Sequence, residues 1–130
     1  MNEIVEEWIS KAEADYNTAR REMAAPSNPN YDDVCFHAQQ CIEKLMKAAL
    51  IQQGALPPKT HDLVELIALM RPEPFPEDFP LEDLRYLTRA AVVFRYPGES
   101  ADPEEAARAL EICARLRERL AQEMRRNTDG

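Results

Sequence analysis

Residues Tyr31–Gln53 read YDDVCFHAQQCIEKLMKAALIQQ, a long run with neither glycine nor proline. At about 100° per residue, Val34, Ala38, Cys41, Ile42, Leu45, Met46 and Ala49 share one broad apolar arc, which predicts a single amphipathic helix. Phe36, His37, Gln40, Lys44 and Lys47 collect on the other side. An ordinary solvated face is mostly charged, so an aromatic ring, an imidazole, an amide and two cations mark a working face. Gly54 stops the helix, with Pro57 and Pro58 close behind. Asp32 and Asp33 place carboxylates in its first turn, where the helix dipole favours them.

Upstream, Ile4, Val5, Trp8, Ile9, Ala12, Tyr16, Ala19 and Met23 form the stripe of a first helix over residues 2–23. Asp15 falls inside that stripe. It either reaches water at the rim or is held against a cation from another helix, because an unpaired buried charge is costly. Pro26, Asn28, Pro29 and Asn30 make the intervening loop. Downstream, Thr60 is expected to cap a short third helix, His61–Met70, buried through Leu63, Leu66, Ile67 and Met70. The link RPEPFPEDFP reads as an ordered connector fixed to the body by Phe75 and Phe79.

Pro80 is expected in the first turn of a fourth helix whose core face is Leu81, Leu84, Leu87, Ala91 and Phe94. Pro97 ends that helix at Arg95 or Tyr96. Arg95 continues the apolar arc, so its guanidinium is expected to point inward. Asp102, Pro103 and Glu105 supply cap, first-turn proline and reciprocal acid for a fifth helix. Its stripe is Ala106, Ala109, Leu110, Cys113, Leu116, Leu120 and Met124. The fold class is therefore all-α: a four- to five-helix antiparallel up-and-down bundle over residues 1–126, with a frayed tail at 127–130.

At 130 residues the chain fits one domain, and 45% hydrophobic with 31% charged residues fits a soluble globular one. A net charge of −8 disfavours duplex DNA, which needs a positive surface. The local basic excess, Arg115–Arg126, alternates with acids and reads as a solvated helix with i to i+4 pairs. MNEIVEEW is no signal peptide, and no window approaches a membrane span. Cys35, Cys41 and Cys113 form no CxxC and read as small buried hydrophobes in a reducing cytoplasm.

His37 and His61 are the only histidines, without HExxH or Glu-x-x-His spacing, so no metal is expected; Gly-rich phosphate loops are absent and no cofactor is implied. Two clusters carry chemistry. One is His37, Gln40, Lys44 and Lys47; the other is Arg95-Tyr96-Pro97. Either Arg95 ties the bundle end to Asp15 or a loop acid, or it receives a phosphate with the lysines while a base stacks on Tyr96 or Phe36.

These residues resemble the HEPN domain family. The resemblance lies in Trp8–Asp15, CFHAQQCIEKLMKAAL (Cys35–Leu50), Thr60-His61-Asp62-Leu63, Arg95-Tyr96-Pro97 and Ala106–Ala114, and spans nearly the whole chain. It implies a helical bundle, usually a homodimer, and often an RNA-cleaving toxin paired with a small nucleotidyltransferase. Such nucleases carry Arg-x4-6-His, and work without metal: a ribose 2′-OH attacks the phosphate while histidine moves protons. With Arg95 as that arginine, histidine would stand at Ser100, Ala101 or Asp102, and none is one. The catalytic residues are therefore unassigned. The expected function is nucleotide binding, or binding of a partner nucleotidyltransferase in a toxin–antitoxin-like system. Candidate ligand contacts are Arg95, Tyr96, Lys44, Lys47, His37, His61 and Asp15. The alternatives are a divergent ribonuclease using His37 or His61, and a purely structural partner protein.

Overall fold

The computed structural model describes residues 2–129, arranged as five helices: α1 (Glu3–Met23), α2 (Tyr31–Gln52), α3 (Leu63–Ala68), α4 (Leu81–Val93) and α5 (Pro103–Asp129). Alternating directions follow from the contacts. Glu22 of α1 accepts from Asn30 N beside the first loop, while Asp15 reaches Lys44 farther down α2. Tyr86 meets Glu105 and Asp83 meets Arg115, so α4 and α5 are antiparallel. Asp32 meets Ala101 and Gln52 meets Met124, so α2 and α5 run the same way. No helix among the described residues is long and apolar enough to cross a membrane.

The central helix packs against all four others. Val34, Cys35, Ala38, Cys41, Ile42, Met46 and Ala48–Leu50 are wholly buried. Its second side is not fully solvated either: Gln39, Glu43 and Lys47 are buried, while Phe36, His37, Gln40 and Lys44 of the expected working face are half-buried, so a polar seam runs along the helix. The expected glycine stop has a specific geometry. Gly54 takes φ 83°, Ala55 N donates to Leu50 O (2.9 Å), and Gly54 N donates to Ile51 O (2.9 Å), which satisfies the last carbonyls.

Several boundaries differ from the expectations. The third helix begins at Leu63, because Asp62 is its cap, accepting from Val64 N at 3.0 Å. Thr60 instead accepts from Asp62 N and donates to Glu65. Pro80 is the cap residue of α4, one position before its first turn, and Leu81 is 47% exposed while Tyr86 and Ala90 are buried. In the connector, Phe79 is buried but Phe75 is 62% exposed; the second anchor is Pro74. Asp102 and Glu105 exchange backbone hydrogen bonds at 2.7 and 3.0 Å and start α5 as expected. α5 is helical through Asp129, and Gly130, at the end of the tail expected to fray, lies outside the described residues. Three of its arginines pair with other parts of the chain: Arg117 with Glu13 of α1, Arg115 with Asp83 of α4, and Arg119 with Asp78 of the connector.

Candidate functional site

The polar seam of α2 resolves into two carboxylates, each holding one imidazole and one ammonium. Asp15 Oδ1 lies 2.7 Å from His37 Nδ1, and Asp15 Oδ2 accepts from Lys44 Nζ at 2.6 Å. The buried Asp15 is thus held against a cation of another helix, Lys44. Glu43 Oε1 lies 2.9 Å from His61 Nδ1, and Glu43 Oε2 accepts from Lys47 Nζ at 3.1 Å. Burial alone would raise the Glu43 carboxyl. Hydrogen bonds from Gln39, His61 and Lys47 outweigh it and hold the group below its ordinary value.

Because an ionised carboxylate only accepts, each imidazole presents Nδ1–H to its carboxylate, and Nε2 stays outside that pair. The amides follow from the same anchor. Gln39 Nε2 donates to Glu43 and to the His61 carbonyl, both at 3.0 Å, and Gln40 Nε2 donates to Gln39 Oε1 at 2.8 Å.

Arg95 does not follow the arc into the core. Helix α4 closes at Val93, and the chain tightens through Arg95 N to Val92 O and Tyr96 N to Val93 O. Those i to i+3 turns break the 100° spacing and swing Arg95 out. Arg95 is exposed, makes no ion pair among the described residues, and sets its guanidinium 4.6 Å from the centroid of Phe36. It does not tie to Asp15, whose partners, Lys44 and His37, come from α2. Tyr96 is 65% exposed beside it.

The Phe36–Arg95 stack divides two clefts. One, about 180 Å³, is lined by Phe36, Gln39, Gln40, His61, Ala91 and Arg95, among others. The other, about 370 Å³, is lined by Asn30, Asp32, Asp33, Phe36, His37 and Arg95, with Phe94. The structure thus brings His61 and His37 to opposite sides of Arg95. Lys44 and Lys47 line neither cleft and are occupied by Asp15 and Glu43. Phe36, expected on the working face as a surface for a base, seats the guanidinium instead; Glu43, the hub of the second cluster, was not among the expected site residues. The i to i+4 spacing of Glu43 and Lys47 was the one local signal for that hub. No group of three or more His, Cys, Asp or Glu that could hold a metal ion lies together among the described residues.

All-helical architecture with a polar seam along the middle helix and an arginine at the end of α4 defines the class. The model of the HEPN domain matches residues 5–124, and the chain belongs to the HEPN domain family. Among solved structures it is similar to ST0689, an archaeal HEPN homologue, with 26% identity, a TM-score of 0.74, and 92% of this chain and 97% of that chain covered. It is also similar in fold to TT1696 from Thermus thermophilus, with 20% identity, a TM-score of 0.77, and 91% and 96% covered. The comparison with curated proteins returned no match.

Proposed function

We propose that this HEPN protein binds a nucleotide at the Arg95 cleft rather than cleaving RNA. The observation that carries the reading is the Arg95 guanidinium, free of any ion pair among the described residues, stacked 4.6 Å from Phe36 between two clefts. A planar cation can take a phosphate through its N–H edge. Its outer face, or the exposed Tyr96 ring, offers a surface for a base. The homodimer and the small nucleotidyltransferase partner implied by the family resemblance belong to this reading, as do a cytoplasmic setting and a toxin–antitoxin-like role. Thermal-shift and calorimetric titration of nucleotides against wild type and Arg95→Ala tests it. Wild type is stabilised and the variant is not; identical behaviour of the two proteins removes the site.

The second reading, a divergent metal-independent ribonuclease, is favoured by the two carboxylate–imidazole pairs flanking Arg95. Each fixes the tautomer that leaves Nε2 available for proton transfer. It requires cleavage of a model RNA in chelator that disappears in His61→Ala or His37→Ala. Clean protein with no cleavage excludes it.

A further inference from the structure

We infer that the ligand of the Arg95 cleft carries a single phosphate group, as in a nucleoside monophosphate or one link of a single-stranded chain, and that the site rejects di- and triphosphates. The inference rests on the nucleotide-binding reading above and concerns how much negative charge that site accepts.

The two lysines of the α2 seam are spent. Lys44 Nζ sits 2.6 Å from Asp15 and Lys47 Nζ 3.1 Å from Glu43, and Lys47 is buried as well. Arg95 is left as the one cation lining the two clefts that Phe36 separates. Around it the lining turns acidic: Asp32 and Asp33 face the larger cleft. Asp32 is partly compensated by accepting from Ala101 N at 2.7 Å. The Asp33 side chain is exposed and accepts no hydrogen bond among the described residues.

A ligand seated on Arg95 therefore meets one uncompensated guanidinium with two carboxylates beside it. One phosphate group can be held by that guanidinium through a bidentate contact, a diester link matching its charge and a monoester exceeding it by at most about one. Each further phosphate brings negative charge towards Asp32 and Asp33, in a chain already at −8, and like-charge juxtaposition is penalised.

The test is calorimetric titration of AMP, ADP, ATP and the dinucleoside monophosphate ApA, with and without magnesium, against wild type and Asp33→Asn. The expected result is binding of AMP or ApA with ATP at least about tenfold weaker, and a narrower gap in Asp33→Asn. Binding of AMP alone assigns the site to a mononucleotide, and binding of ApA alone assigns it to a chain link; either supports the inference. ATP binding as tightly as AMP overturns it while the nucleotide-binding reading stands. A gap unchanged in Asp33→Asn overturns its charge basis. No binding by any of the four overturns the nucleotide-binding reading itself.

Discussion

Glu43 holds together a buried ammonium, two amides and the loop that carries His61. Replacing it with alanine strands Lys47 in the interior, a loss of about 3–5 kcal/mol when one partner of a buried pair is removed. Denaturant unfolding of Glu43→Ala measures it. The same group makes stability depend on pH. Its folded-state pKa lies below the ordinary glutamate value of 4.5, so the unfolded chain takes the proton first as the solution is acidified. The stabilisation is complete above that ordinary value and is lost as the pH falls through the folded-state value. Urea midpoints taken from about pH 6 down to about pH 3 should therefore fall less steeply in Glu43→Gln than in wild type. Parallel slopes would show that Glu43 is not the group responsible.

At the scale of the helices, the ends were legible wherever local chemistry sets them. The turn at Gly54 needs a positive φ, and a Cβ added there would meet nothing within 4 Å. Gly54→Ala should therefore cost about 1 kcal/mol through backbone strain alone. Asp102→Ala removes a cap that accepts at 2.7 Å and should cost about 1 kcal/mol. Thermal unfolding of each variant checks both values, and a fall in melting temperature for neither would contradict the two caps. The start of α3 was misjudged because Asp62, and not Thr60, is its cap, with Leu63 N also taken by Thr88 Oγ1 from α4. At the end of α4 the apolar arc extends to Arg95, yet the chain leaves helical geometry after Val93 and the arginine turns outward.

Across the whole molecule, the three thiols report on the integrity of the core. Cys35, Cys41 and Cys113 are free and fully buried. Burial pushes the Cys35 thiol up to about 12. A hydrogen bond with Cys113, reinforced by burial, raises Cys41 as well. All three should resist a thiol-specific reagent in the native protein and react together on unfolding in denaturant. A thiol that reacts at once in native buffer would contradict the packing of α2 against α5.

Hydrophobic periodicity, sparse glycine and cap residues were enough to read the helices, their order and the bundle, because those signals act within a few turns of one segment. The stripe of α2 is buried as read, from Val34 to Ala49. Its opposite side could not be read in the same way. Whether Lys44 faces water or a carboxylate depends on Asp15, 29 residues away, and the Glu43 cluster depends on a loop 18 residues on. The availability of Arg95 likewise rests on the turn after Val93 and on Phe36 of another helix. Electrostatic pairing and stacking are short-ranged in space and indifferent to chain separation, so packing of the helices, and not the order of residues, decided which cation remains open to a ligand.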